Sequence, residues 1–130
     1  MRALKNSKGF TLIEIIAVLV ILGILAAVAV PKYIDLQDEA KKKALQGALA
    51  EGMSTVSMNY AYMMLSNAGT ATMVNLATKA TNNRPASKDF TYTFASATDV
   101  SGILVTVKAL GSAGALGSYA GTASKTWVKP

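Results

Sequence analysis

The side chains that usually perform chemistry are scarce in this sequence, and the one in the most unusual setting is Glu14. The chain has 130 residues with no cysteine and no histidine, which removes thiolates, the commonest general base and the usual zinc ligands. We therefore expect no enzyme, no catalytic residue, no metal and no cofactor. Glu14 is the only ionisable residue from Phe10 to Val30, and such a group is costly in apolar surroundings and by default functional.

The stretch around Glu14 has the length and composition of a membrane-spanning helix. It contains 21 residues, and about 20 are needed to cross a bilayer core. Eleven of the residues from 15 to 30 are Leu, Ile or Val; at roughly −0.5 kcal/mol each they outweigh the cost of about 3 kcal/mol for one charged residue. Insertion is therefore expected, with membrane lipids as the first partner.

Basic residues ahead of the apolar run predict its orientation. Arg2, Lys5 and Lys8 lie among the first nine residues, and positive charge stays on the cytoplasmic side. The residues after the run are therefore expected to be exported. Without these three, ten basic side chains remain against seven acidic ones. This is an ordinary surface balance, and no specific nucleic-acid site is evident.

Residues 32–65 are expected to continue the helix as an amphipathic half. Pro31 suits the first turn of such a helix, because its fixed φ matches that position. Acid-first i, i+4 pairs, Asp38 with Lys42 and Glu39 with Lys43, favour a solvated helix face. Apolar residues recur at spacings of three and four and predict one buried stripe: Leu45, Leu49, Met53, Val56, Tyr60 and Met63.

The last segment, residues 66–130, is expected to contain a loop followed by a small sheet. Residues 66–89 are rich in Asn, Thr, Ala and Gly without a firm period, which indicates a connection with possible short structure. Alternation in Phe90–Phe94 and the apolar run Ile103–Val107 predict a hairpin across a turn at Asp99–Gly102, and Thr126–Val128 can add a strand. We therefore predict an α+β fold, in which a long N-terminal helix packs its C-terminal half on a small antiparallel sheet while its apolar half protrudes.

The segment from Lys8 to Glu14 is specific enough to indicate a family. A basic leader, Gly9, then Phe10, Glu14 and an uninterrupted apolar run occur together in register. This arrangement resembles the processing site of type IV prepilins and the related pseudopilins. The resemblance extends through about Tyr33 and includes Pro31, which matches the helix kink of these subunits.

The resemblance implies a processing pathway and an assembly role. Residues 1–9 would be a leader that a membrane-embedded prepilin peptidase removes between Gly9 and Phe10, after which the new amine of Phe10 is methylated. Residues 10–31 would form the transmembrane half and later the filament core. The Phe10 ammonium of a neighbouring subunit would neutralise Glu14, and the helix would lose order between Gly23 and Pro31 in the assembled form. An inner-membrane precursor, an assembly platform and an extracellular homo-oligomeric filament are implied as well.

Three functions fit the sequence. The first is a structural subunit of a type IV pilus. The second is a pseudopilin of a type II secretion or DNA-uptake machine; no acidic residue follows Asp99, so the C-terminal calcium site of major secretion pseudopilins has no obvious ligands, which favours the pilus subunit. The third is a secreted binding domain with an ordinary signal peptide cut near Ala27–Ala29, in which Glu14 would be an unhelpful charge.

Overall fold

The computed structural model describes residues 9–66, 71–98, 101–111 and 119–130. Its elements are α1 (Leu12–Ser66), α2 (Met73–Asn82), β1 (Phe90–Ser96), β2 (Gly102–Ala109) and β3 (Thr122–Val128). The chain divides into two compact units, one ending at Asp38 and the other running from Glu39 to Pro130. The predicted α+β class, a long helix on a small antiparallel sheet, is confirmed.

The first unit exposes all its described side chains, apolar ones included. Within the described residues, one helix is long and apolar enough to cross a membrane. Pro31 lies inside α1, and because it has no N–H it leaves the carbonyl of Ala27 without its helical partner. The helix nevertheless continues through Gly23 and Pro31 in this isolated chain.

The sheet of the second unit contains three antiparallel strands in the order β1-β2-β3. Tyr92 pairs with Val107 and Phe94 with Val105, which places these four side chains on one face, where all are buried. The predicted hairpin and third strand are therefore present. Asp99 and Val100, in the expected turn, lie outside the described residues.

The C-terminal half of α1 covers the buried face of the sheet, and a glycine permits the close contact. A Cβ built on Gly52 would lie 2.8 Å from Val105 Cγ1 and 3.4 Å from Tyr92 Cδ1. Carbon atoms pack at about 3.5–4 Å, so a larger residue at position 52 would push α1 away from β2. The absence of a side chain at Gly52 therefore helps to set the distance between helix and sheet.

The predicted apolar stripe is confirmed, although the buried face also contains small and polar residues. Leu45, Val56 and Met63 are buried, whereas the other three predicted residues, Leu49, Met53 and Tyr60, are half-buried against the core. Ala48, Gly52 and Asn59 complete the buried face. A search for large apolar residues does not identify these three, because Ala48 and Gly52 are small and Asn59 is polar. The Asn59 side chain donates to the Thr55 carbonyl and accepts from the Asn83 amide.

Helix α2 occupies part of the segment that was expected to be mainly a connection. It begins after Thr72, whose side chain accepts a hydrogen bond from the Asn75 N–H, the usual way an N-cap satisfies a free donor. Leu76 and Ala80 are fully buried. The helix forms because Thr72 caps its first turn and its apolar face packs on β1, although the surrounding composition resembles a loop.

Candidate processing and assembly site

The peptide bond between Gly9 and Phe10 precedes the helix. Both residues are non-helical, and α1 begins at Leu12. A Cβ at Gly9 would meet no other atom within 4 Å, and Phe10 is 84% exposed. An exposed, non-helical bond is the kind of site that a protease can reach. The rest of the expected leader, residues 1–8, lies outside the described residues.

Thr11 and Glu14 cap the first turn of α1 reciprocally. Glu14 Oε2 accepts hydrogen bonds from the Thr11 N–H at 2.8 Å and from the Thr11 hydroxyl at 2.7 Å. Thr11 Oγ1 in turn accepts a long bond, 3.4 Å, from the Glu14 N–H. This is a capping box, which satisfies helix-end donors that have no partner inside the helix.

The role of Thr11 was missed at the level of sequence, although a signal for it exists. Thr-x-x-Glu immediately before an apolar run is the recognisable spacing of a capping box. Glu14 therefore has a local partner in the isolated chain besides any partner from another subunit.

The capping box leaves part of the Glu14 carboxylate able to bind a cation. A carboxylate offers about four acceptor sites on two oxygens, and both hydrogen bonds from Thr11 go to Oε2. Acceptor capacity therefore remains on Oε1. The Glu14 carboxylate can be oriented by Thr11 and accept an ammonium group at the same time.

Packing within this chain does not require a glycine at position 23. A Cβ at that position would meet nothing within 4 Å, and glycine in a helix interior costs about 1 kcal/mol relative to alanine. Together with Pro31 it makes residues 23–31 the part of α1 with the weakest intrinsic preference for a helix.

Polar contacts hold the C-terminal half of α1 on the sheet. The Tyr92 hydroxyl donates to Glu51 Oε2 at 2.7 Å, and the Trp127 indole N–H donates to Ser57 Oγ at 2.8 Å. Burial of Tyr92, followed by its hydrogen bond to the Glu51 carboxylate, raises the pKa of the phenol well above its usual range. Because the two hydrogen bonds hold α1 at two points along its length, they fix both the direction of its C-terminal half across the sheet and its position along that direction.

The other depressions on the surface of the second unit are open to solvent. A cleft of about 800 Å³ lies between the α2–β1 connection and β1 and is lined in part by Arg84, Lys88 and Phe90. Among the residues that the structure describes, no group of three His, Cys, Asp or Glu side chains is placed to hold a metal ion.

Comparison with known proteins identifies the N-terminal region most clearly. Residues 4–30 match the family model of the prokaryotic N-terminal methylation motif. The chain is 31% identical over 94 residues to the type IV wide pilus major component PilA4 of Thermus thermophilus, a match that covers 72% of this chain and 70% of that protein.

Two further relatives match over shorter stretches. The type IV narrow pilus major component PilA5 of Thermus thermophilus is 50% identical over 45 residues, covering 35% of this chain and 39% of that protein. The type II secretion system core protein G of Pseudomonas aeruginosa is 44% identical over 62 residues, covering 45% and 44%. These two matches span less than half of each relative's length. No solved structure matches the chain.

Proposed function

This chain belongs to the family of type IV pilins and type II secretion pseudopilins, and we propose that it is a structural subunit of a type IV pilus. The observation that carries the proposal is the accessible Gly9–Phe10 bond, placed directly before an exposed apolar helix whose first turn contains Glu14. A helix with this exposed apolar surface needs either lipid or other helices around it. A membrane-bound precursor and a filament core provide these two environments in turn.

Processing is the first step of the proposed pathway. A prepilin peptidase cuts between Gly9 and Phe10 and methylates the Phe10 amine. The absence of a Cβ at Gly9 supports this, because it permits close approach to the backbone where the chain enters the membrane. The capping box remains after cleavage, since its atoms belong to Thr11 and Glu14.

Assembly is the second step. An inner-membrane platform transfers the processed subunit from lipid to the growing filament, where apolar helices pack together and the second unit faces outward. Within this apolar core the Glu14 carboxylate requires a counter-charge, since an unpaired charge there is expensive. The Phe10 ammonium of a neighbouring copy supplies it.

A pseudopilin is the second candidate, and the similarity to the secretion core protein G supports it. The two candidates differ in the length and location of the filament: a pilus extends from the cell surface, whereas a pseudopilus stays short in the periplasm. Residues 100–130 contain no acidic side chain, so this stretch itself offers no carboxylate ligands for a calcium ion.

Electron microscopy of sheared surface material tests the proposed function. Wild-type cells should yield filaments in which mass spectrometry identifies this chain, and cells lacking the gene should lose them. A matched control expresses Glu14→Leu, which should remain in the membrane fraction. Surface filaments that persist without the gene, or contain none of this chain, would contradict the proposal.

A further inference from the structure

A block of two acidic residues followed by three lysines lies in α1 around the start of the second unit. Asp38 and Glu39 are followed by the lysines 41–43. Lys43 Nζ lies 3.7 Å from Glu39 Oε1, and these side chains are 67% and 59% exposed. An exposed pair of this kind adds little to the stability of an isolated helix, because water screens it. Asp38, Glu39, Lys42 and Lys43 are all exposed, so charges from another molecule can reach them.

The spacing within this block favours one arrangement of two parallel copies. Asp38 precedes Lys42 by four residues, and Glu39 precedes Lys43 by four, a rise of about 6 Å along a helix. Two parallel helices without displacement would place acid beside acid and lysine beside lysine. A displacement of about one turn places the acids of one copy level with the lysines of the other, so opposite charges meet.

The same displacement is required at the N-terminus by the proposed function, on which this inference rests. Phe10 also precedes Glu14 by four residues. In a filament with helical symmetry, every residue of one copy is shifted along the axis from its equivalent in the next copy by the same distance. A neighbour whose Phe10 amine lies level with Glu14 therefore also has its Glu39 level with Lys43.

We propose that Asp38 and Glu39 of one copy form salt bridges with Lys42 and Lys43 of the adjacent copy. These pairs form a second site that sets the axial displacement between neighbouring copies, and this site lies outside the apolar segment. Its acidic half in one copy is complementary in charge to its basic half in the displaced second copy. The Phe10–Glu14 pair fixes the register in the filament core, and the charged block fixes it where the second unit begins.

Two charge-reversal variants separate contacts between copies from contacts within one helix. One variant carries Asp38→Lys with Glu39→Lys, and the other carries Lys42→Glu with Lys43→Glu. Each alone has four like charges at these positions, and because like charges then face each other across the contact, its filament yield should fall roughly tenfold. When both are expressed together, opposite charges at these four positions meet only between different copies. Near-wild-type yield should then return, with both variants in the same filaments.

Cysteine cross-linking provides a second measurement that does not depend on yield. The chain has no cysteine, so each introduced thiol is unique. Filaments containing Glu39→Cys and Lys43→Cys subunits should form mixed dimers with a short bismaleimide. The matched control pairs Glu39→Cys with Ser54→Cys, an exposed position eleven residues beyond Lys43 and about 16 Å further along the helix. This control should form few dimers.

The outcomes distinguish this inference from the function on which it rests. Absence of wild-type filaments would overturn the proposed function and this inference with it. If wild-type filaments form, normal assembly of either reversal variant alone, or failure of the mixture to recover, would overturn only the register site. Equal cross-linking at positions 43 and 54 would do the same. Recovery in the mixture with selective cross-linking at position 43 would establish the site.

Discussion

Thr11 holds the Glu14 carboxylate through its backbone N–H and its hydroxyl, at 2.8 and 2.7 Å. The residue expected to pair with a neighbouring subunit is therefore already oriented within its own chain. An N-cap contributes about 0.5–2 kcal/mol to a helix end, so Thr11 sets the first turn of α1 as well as the direction of the carboxylate.

Replacing Thr11 should loosen the first turn of α1. Thr11→Val keeps the shape of the side chain but removes the hydroxyl, so the N–H groups near Glu14 should exchange with solvent several-fold faster. Hydrogen exchange followed by NMR in detergent micelles measures this. Thr11→Ser, which retains the hydroxyl, is the control. Equal exchange in Thr11→Val and wild type would show that the capping box has no energetic weight.

Glu14→Gln separates the charge of Glu14 from its hydrogen bonds. The amide oxygen of Gln can still accept from Thr11, but it cannot form a salt bridge with the Phe10 ammonium of a neighbour. The variant should be inserted and cleaved normally, yet enter filaments poorly. Immunoblots of membrane and sheared fractions measure both steps. Wild-type filament yield in this variant would eliminate the proposed charge pair.

Two glycines of α1 should respond to alanine in opposite directions. Gly52→Ala should destabilise the second unit by about 1–3 kcal/mol, because the new Cβ would lie 2.8 Å from Val105 Cγ1. At Gly47 a Cβ would meet nothing within 4 Å, so Gly47→Ala should stabilise the helix by up to about 1 kcal/mol. Thermal unfolding of a Glu39–Pro130 fragment compares them. A tolerated Gly52→Ala would show that α1 does not need the close approach.

The hydrogen bond between Tyr92 and Glu51 predicts a pH dependence at alkaline pH. The pKa of Tyr92 is raised in the folded state, so its contribution to stability is complete below the unfolded pKa of about 10. It is lost as pH rises above that value towards the folded pKa. Urea unfolding from pH 8 to 11 should show a smaller loss of stability for Tyr92→Phe than for wild type. Identical slopes would contradict the assignment.

Residues 23–31 are predicted to unwind when the subunit assembles. The isolated chain is helical there, as expected in a bilayer, where unpaired backbone groups find no water. Packing among filament neighbours offers other partners, and Gly23 with Pro31 lowers the cost of unwinding. A filament map should show an extended segment here, which Gly23→Ala should shorten. An unbroken helix from Leu12 to Leu45, apart from the bond Pro31 lacks, would refute the prediction.

Local periodicity explains which parts of the fold could be predicted. The stripe containing Leu45, Val56 and Met63 has a helical period, and the alternation at Tyr92 and Phe94 has a strand period. Each pattern reports burial of one face regardless of the partner. The apolar run around Glu14 could equally be predicted to span a membrane, because its length and composition alone match a bilayer core.

The contacts that were not predicted depend on residues far apart in sequence. Gly52 meets Val105, and Glu51 meets Tyr92, and neither pairing has a periodic signature. Helix α2 was expected only as possible short structure, because it has ten residues and the composition around it resembles a loop, so the Thr72 cap was the main local sign. Thr11 was different, since its spacing to Glu14 was visible in the sequence.

The mature N-terminus of the subunit tests the proposed processing pathway most directly. Mass spectrometry of sheared filaments should find a chain that begins at Phe10 and carries one methyl group on its amine, and Gly9→Leu should leave the precursor uncut in the membrane while Gly9→Ala is still processed. A mature chain that begins near Val30, or normal maturation of Gly9→Leu, would contradict the proposed pilin pathway.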